Sequence, residues 1–257
     1  MRWTSFLVGA ASLLMLLILW EYFGSIDGSA LSAVIPPPSR VFTVLVQSGF
    51  RVGLGSQAAS LPTSIASTFF RVFCGMALAF VAAIGTGAVM SLIPFVRWMT
   101  APVLYLLAPI APIAWIPTAL VIFGVSNLTA IFIVFMGVYF ILTLATLAEI
   151  SRVPEEFMII ARNLGGRGVG CWFRVMLPAI TPGVFMLLRT NFIAAWMAVL
   201  VAEMVGLNDG LGAIIMMGRN LFNSDLIMLG MITIGLSGFI VDRILLLIGT
   251  RLIWWRN

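Results

Sequence analysis

Charged residues are scarce in this sequence. Only 9% of the 257 residues are charged, whereas 62% are hydrophobic and the mean hydropathy is +1.16. A soluble domain has about 25% charged residues, because its surface has to be wetted by water. The composition therefore excludes a soluble globular domain and indicates a protein whose surface faces lipid. At about 20 residues per span, the length predicts about six spans and leaves no room for a second, soluble domain.

Lysine and histidine are absent, and all 14 basic residues are arginine. Without lysine the chain cannot build a G-x-x-x-x-G-K-[ST] phosphate-binding loop. Without histidine it has neither a Ser-His-Asp triad nor a His-ligated metal. The two cysteines, Cys74 and Cys171, lack metal-ligand spacing and are expected to be ordinary thiols. The net charge of +5 comes from arginines that are scattered singly, which does not predict nucleic-acid binding.

Six long apolar segments predict an all-α fold, a polytopic membrane helical bundle with about six transmembrane helices. Their approximate bounds are Phe6–Trp20, Phe70–Phe95, Ala101–Phe123, Leu128–Leu147, Gly183–Val205 and Leu226–Ile248. The first segment is short, so both a retained span and a cleaved signal peptide are compatible with it.

The distribution of arginine predicts the orientation, because cytoplasmic loops of membrane proteins are enriched in basic residues. With a cytoplasmic N-terminus, eight arginines fall on the cytoplasmic side and three or four on the other side. An even number of spans then places both termini in the cytoplasm.

Proline marks two irregular regions. The three consecutive prolines within Ile35–Arg40 cannot continue a helix, and the apolar stretch Val41–Val46 after them predicts a short interfacial helix. The prolines of the third segment are Pro102, Pro109, Pro112 and Pro117. Each of them frees a backbone carbonyl that lipid cannot satisfy. This segment either faces other helices or a pathway, or it is a kinked structural helix.

The polar stretch Ser151–Pro182, between the fourth and fifth segments, predicts a short capped helix on the cytoplasmic face. Its first turn has a proline and two acids that suit the positive end of the helix dipole, namely Pro154, Glu155 and Glu156. Apolar residues then recur at helical spacing, at Phe157, Ile160, Ala161 and Leu164, before Gly165 and Gly166 end the helix. The apolar stripe predicts either docking in a groove of a soluble partner or packing on the bilayer or the chain's own bundle.

This stretch resembles the EAA motif of the permease subunits of bacterial ATP-binding-cassette (ABC) importers: E-A-A, three residues, G, nine residues, I-x-L-P. Ile159-Ile160-Ala161 stand at the E-A-A positions, Gly165 at the glycine and Leu177-Pro178 at the Leu-Pro, without a gap. The family's usual glutamate is replaced by Ile159. The resemblance implies a helix that couples the spans to an ATPase, with the residues Glu155, Glu156, Ile159, Ala161, Arg162, Gly165, Leu177 and Pro178.

Four further stretches are similar to the nitrate, sulfonate, taurine and bicarbonate branch of these permeases: residues 112–117, 122–124, 202–204 and 210–212. The resemblance implies an ATP-driven importer of a small anion in the bacterial inner membrane. Two permease chains, here a homodimer, would form the path. Two separate ATPase subunits would bind ATP and Mg²⁺, so this chain would hold no cofactor. A periplasmic or lipid-anchored binding protein would deliver the solute.

In this interpretation residues 1–257 form one transmembrane permease domain. Residues 1–60 would be an N-terminal span with a periplasmic segment, residues 61–257 the permease core, and residues 151–182 the coupling loop.

Polar and aromatic residues at membrane depth are further candidates. Arg189 is costly in lipid unless it is paired or snorkels, so a pathway role and a structural role both stay open. Glu203 lies near the outer end of the fifth segment. It is interpreted either as part of a gate or a binding-protein contact, or as a structural residue. The candidates for the translocation path are Pro112, Trp115, Pro117, Arg189, Asn191 and Trp196. The candidates for the gate or binding-protein contact are Glu203, Met204, Gly210 and Gly212.

Two other classes of function are weighed against the importer. A stand-alone secondary transporter or channel commonly carries buried acids for ion coupling, and the central portions of the second to fourth segments contain none. The second alternative is a membrane scaffold or an enzyme subunit. A catalytic role is disfavoured, because the segments lack histidine, lysine and paired acids.

Overall fold

The computed structural model describes residues 2–26, 35–47, 51–52, 59–165 and 168–252. These residues are almost entirely helical, which confirms the predicted all-α class. The strands among them are an antiparallel pair of two residues each, β1 (Arg51–Val52) and β2 (Ala59–Ser60). The longer α-helices are α1 (Arg2–Gly24), α2 (Pro38–Gln47), α3 (Leu61–Leu92), α4 (Pro94–Leu107), α5 (Ile116–Phe123), α6 (Asn127–Arg152), α7 (Glu155–Asn163), α9 (Leu177–Gly206), α10 (Leu211–Asn220) and α11 (Ser224–Leu252), with the single turn α8 (Gly168–Cys171) before α9.

Four stretches of helix are long and apolar enough to cross a membrane: Leu61–Leu92, Asn127–Arg152, Gly168–Gly206 and Ser224–Gly249. They coincide with the second, fourth, fifth and sixth predicted segments. A bent pair of helices gives a fifth candidate span, and the shorter apolar part of α1, Ala11–Gly24, overlaps the first segment. The described residues therefore hold four or five candidate spans, each on a predicted segment.

Helix α3 begins at Leu61, nine residues before the predicted start of the second segment at Phe70. Ser60 precedes the helix, and its Oγ accepts a hydrogen bond of 3.3 Å from the backbone N–H of Thr63. This is the geometry of an N-cap. Apolar residues alone set the predicted start of this segment, so the more polar first turns of the helix were not included in it.

The third predicted segment is broken. Helix α4 ends at Leu107 and a 3-10 turn begins at Pro112, and the helices on either side meet at an angle of 100°. Pro109 and Pro112 have no N–H to donate, so an α-helix cannot run through this stretch. The segment is thus a broken span or a re-entrant loop, which is more irregular than the kinked structural helix that was one of its two interpretations.

The chain divides into two compact units. The first comprises Met1–Ser67 and Asn208–Leu236. In it, the predicted short helix is present as α2 and begins at Pro38. The Glu21 carboxylate accepts hydrogen bonds from the backbone N–H and the hydroxyl of Ser39, at 3.2 Å and 2.6 Å, and so caps α2 from another helix.

The second unit comprises Thr68–Leu207 and Ser237–Asn257, and α6 lies at its core. One face of α6 is fully buried through residues at helical spacing: Ala130, Ile133, Val134, Val138 and Leu142. Helix α3 approaches this face at Gly75, where a Cβ would lie 2.6 Å from Val134 Cγ1. A larger residue at this position would separate the two helices, so the glycine permits their close packing.

Candidate functional site

The predicted short capped helix is present as α7, Glu155–Asn163. Glu155 and Glu156 lie in its first turn, directly after Pro154, as the capping pattern predicts. Gly165 has a φ of +85°, the left-handed conformation that glycine adopts most easily after a helix. Gly166 and Arg167 lie outside the described residues.

The apolar stripe of α7 faces outward. Ala161 alone is buried, at 8% exposure, whereas Phe157, Ile160 and Leu164 are exposed by 49%, 55% and 84%. Ile159, at the position of the motif's usual glutamate, is also exposed. The side chain of Arg162 lies outside the described residues. The described part of this chain therefore leaves three of the four stripe residues uncovered.

The second half of the predicted loop is helical and continuous with the fifth span. Helix α8 leads through a π turn, Trp172–Met176, into α9, and Gly168–Gly206 is one stretch of helix. Leu177 opens α9 and Pro178 follows it; because the helix is continuous here, Pro178 leaves one carbonyl of the π turn without its helical donor. Pro182 lies buried inside α9. The expected start of the fifth span at Gly183 was therefore too late.

A groove of about 440 Å³ opens where α6 ends, α7 begins and α9 begins. Glu149 lies in it, and its Oε1 accepts a hydrogen bond of 2.6 Å from Arg152 Nη1. A Cβ on Gly183 would lie 1.9 Å from Glu149 Oε2, so the carboxylate occupies the space that any other residue at position 183 would fill. Sequence reasoning missed this contact, because nothing local links two residues so far apart in the chain.

A buried ion pair lies inside the second unit. Arg71 Nη1 donates to Glu203 Oε1 at 2.7 Å, and the two side chains are exposed by 1% and 0%. Thr68 Oγ1 lies 2.8 Å and 3.0 Å from the two carboxylate oxygens, and Arg71 Nε donates to Asn127 Oδ1 at 2.8 Å. Glu203 is thus enclosed by polar partners, and this structure does not offer it to a soluble protein. Sequence reasoning did not identify Arg71 as the partner of Glu203.

A second ion pair joins α9 to α11. Arg189 Nε and Nη2 donate to the two oxygens of Asp242, each at 3.0 Å. Arg243 points elsewhere, with its guanidinium carbon 4.8 Å from the centroid of the Phe239 ring. Asn191 donates to the backbone oxygen of Leu187 at 2.8 Å. Both polar path candidates of α9 therefore have partners within the chain.

The aromatic path candidates pack within the second unit. The ring of Trp196 lies 5.3 Å from that of Phe69 and 5.6 Å from that of Phe192, and Trp115 stacks on Phe140 at 6.3 Å. Both indole Nε1 atoms are buried and have no hydrogen-bond partner among the described residues.

The remaining candidates fall in different places. Pro112 packs on α6, where a Cβ on Gly137 would lie 2.8 Å from Pro112 Cγ. Pro117 lies exposed in the first turn of α5. Met204 is half-buried near the end of α9, and Gly212 is buried in α10. Gly210 precedes α10 with a φ of +109°, which requires glycine.

Comparison with known proteins places the chain among transporters. It is 32% identical over 241 residues to a protein of Methanocaldococcus jannaschii named as an ABC transporter permease, covering 93% of this chain and 88% of that protein. It is 26% identical to the nitrate import permease NrtB of Synechocystis sp., over 91% and 84% of the two chains. It is 25% identical to the taurine transport permease TauC of Escherichia coli, over 87% and 80%.

Solved structures agree on the fold. A chain of the MetNI methionine ABC transporter in an inward-facing conformation superposes with a TM-score of 0.56 at 19% identity, covering 72% of this chain and 94% of that chain. Residues 72–254 match the family described as "Binding-protein-dependent transport system inner membrane component". The match spans more than half of the sequence, so this chain belongs to that family of membrane-spanning permease subunits.

Proposed function

We propose that this chain is the permease subunit of an ATP-driven importer and takes up a small anion such as nitrate, bicarbonate, taurine or an alkanesulfonate. The observation that carries the proposal is α7, a capped helix at the position of the EAA motif whose apolar stripe is left uncovered by its own chain. The nitrate and taurine permeases among the relatives support the class of solute.

The stripe is the expected contact for an ATPase subunit. Phe157, Ile160 and Leu164 are exposed on a helix whose other face carries the acids of its first turn. An amphipathic helix with exposed anchors one turn apart fits a hydrophobic groove of a soluble protein. ATP and Mg²⁺ would be bound by that subunit, in keeping with the absence of lysine from this chain.

The remaining parts of the proposal follow from the family. A second copy of this chain completes the path, and a periplasmic or lipid-anchored binding protein delivers the solute on the side opposite α7. Both termini lie in the cytoplasm of a bacterial cell, as the arginine distribution favours. ATP binding and hydrolysis move α7, and the spans on either side of it alternate between outward-facing and inward-facing states.

Reconstitution tests the proposal. The chain is co-expressed with an ABC ATPase and a solute-binding protein of the same genome, inserted into proteoliposomes, and assayed for uptake of nitrate and of taurine. Uptake should require internal ATP, the ATPase and the loaded binding protein together. Uptake without the ATPase would instead identify a secondary transporter or channel.

One substitution tests the role of α7 directly. Leu164→Asp places a charge on the most exposed residue of the stripe, so folding is unaffected while docking is lost. The variant should no longer co-purify with the ATPase or support uptake. Asn163→Asp adds the same charge to the exposed neighbouring residue on the polar side and should behave as wild type. Normal uptake by Leu164→Asp would refute the docking of α7.

A further inference from the structure

The helix that follows α7 contains a π turn. Trp172–Met176 adopt it, and the backbone N–H of Leu177 donates to the carbonyl of Trp172, five residues back. Well under 1% of residues in globular proteins are in π-helices, and π turns are frequently found at functional sites. This one lies between the coupling helix and the membrane-spanning part of Gly168–Gly206. One extra residue in a helix rotates the preceding side chains by about 100° relative to those that follow.

The first residue of this turn is anchored to another helix. Trp172 is buried, at 3% exposure, and its Nε1 donates to Ser91 Oγ at 2.9 Å. Ser91 Oγ donates in turn to the carbonyl of Ala88 at 2.8 Å, so the indole is connected to the backbone of α3.

Two other tryptophans with buried Nε1 atoms show that this hydrogen bond is a specific feature. Trp115 and Trp196 bury their Nε1 atoms with no partner among the described residues. Burial of an indole in this unit therefore does not by itself bring a hydrogen bond. A hydrogen bond in a water-poor interior is stronger than in water and holds its two groups in one geometry.

The acceptor lies at a junction. Ser91 is the next-to-last residue of α3, and Ile93, with extended backbone angles of φ −123° and ψ 97°, separates α3 from α4. Helix α4 is the first half of the bent pair. A displacement of Trp172 therefore reaches both the end of α3 and the start of the broken segment.

We propose that Trp172 is a positioning residue for energy coupling: through its hydrogen bond to Ser91, the π turn transmits the movement of α7 to the α3–α4 junction. This inference rests on the proposed function, because it needs an ATPase that moves α7. It adds a second route into the bundle besides the direct continuation of α8 into α9.

Two variants remove the hydrogen bond from opposite sides. Trp172→Phe deletes the donor and keeps an aromatic ring, and Ser91→Ala deletes the acceptor. In the reconstituted complex, each should lower the solute transported per ATP hydrolysed by about threefold to tenfold, the factor expected from the loss of one hydrogen bond. Basal ATP hydrolysis and co-purification with the ATPase should stay near wild type, and the unfolding temperature should fall only by the few degrees that one hydrogen bond and, in Trp172→Phe, a small cavity cost. The double variant should lose no more than either single variant, because both remove the same bond.

Trp98→Phe is the matched control, since Trp98 lies 77% exposed in α4, and it should leave the transport ratio unchanged. Wild-type transport ratios in Trp172→Phe and Ser91→Ala would overturn the inference while leaving the proposed function intact. A fall in unfolding temperature that accounts for the whole loss would also overturn it, because the bond would then be merely structural. If the wild-type complex shows no ATP-driven uptake, the proposed function fails and this inference fails with it.

Discussion

Replacing one member of the buried Arg71–Glu203 pair should destabilise the second unit strongly. The two side chains are almost completely enclosed and lie 2.7 Å apart. Glu203→Gln keeps the size of the side chain but removes the charge that faces Arg71. The guanidinium then stays buried and charged, because arginine does not lose its proton in proteins.

The magnitude follows from the geometry. At an effective dielectric constant of about 20, two unit charges 2.7 Å apart attract by about 6 kcal/mol. Desolvation offsets most of this gain, at several kcal/mol for each ion. Removing one partner leaves the desolvation of the other uncompensated, which typically costs about 3–5 kcal/mol. Glu203→Gln should cost more than Arg71→Met, because a lone carboxyl can become neutral by binding a proton, whereas a lone guanidinium cannot.

Thermal unfolding in detergent or nanodiscs measures the effect. Glu203→Gln should lower the unfolding midpoint by about 10 °C, and the double variant Arg71→Met/Glu203→Gln should recover much of that loss. Glu149→Gln is the control: its partner Arg152 is 74% exposed, so the change should be below about 1 kcal/mol. This reasoning would be refuted if Glu203→Gln had the unfolding midpoint of wild type. It would also be refuted if the double variant lost as much in its unfolding midpoint as the two single variants lose together.

Three further substitutions test local geometry, each by its unfolding midpoint. Phe222 has a φ of +50° and is 94% exposed, so Phe222→Gly should stabilise the protein by about 1 kcal/mol, whereas Phe222→Ala, which keeps the strain, should not. Gly183→Ala should cost about 1–3 kcal/mol through its clash with Glu149, and Glu149→Ala in the same chain should restore the loss. Gly165→Ala should cost about 1 kcal/mol, because its φ of +85° strains any residue with a Cβ even though the space around it is open. The control is Gly170→Ala, which has equally open space but helical backbone angles and should be neutral or stabilising.

Helix α7 was predictable because its signals are local. Pro154 and the acids of the first turn mark its start, Gly165 marks its end, and the spacing of the apolar residues is that of a helix. The observed α7 agrees with all three signals. The spans were predictable for a similar reason, since hydropathy sums over neighbouring residues. What hydropathy cannot resolve is the path of the backbone. Four prolines in the third segment predicted irregularity, but the 100° bend depends on how the helices on either side pack.

The ion pairs were missed because their members are far apart in the chain, yet the sequence does contain a signal that selects them. Between different spans of the described residues, the structure pairs two arginines with two acids, so two pairings were possible: Arg71 with Glu203 and Arg189 with Asp242, or the reverse. An arginine in a span costs about 2.5–3.5 kcal/mol on insertion scales and therefore needs a partner at its own depth.

Depth follows from the alternating direction of consecutive spans. Arg71 lies early in the second predicted segment and Glu203 late in the fifth, so two spans of opposite direction place them near the same membrane surface. Arg189 lies early in the fifth segment and Asp242 late in the sixth, so these two share the opposite surface. The reverse pairing would join residues at different depths, and the hydrogen bonds of 2.7 Å and 3.0 Å form between the members of the pairs that share a depth. Charge complementarity, depth and span direction together thus identify contacts that hydropathy alone leaves undetermined.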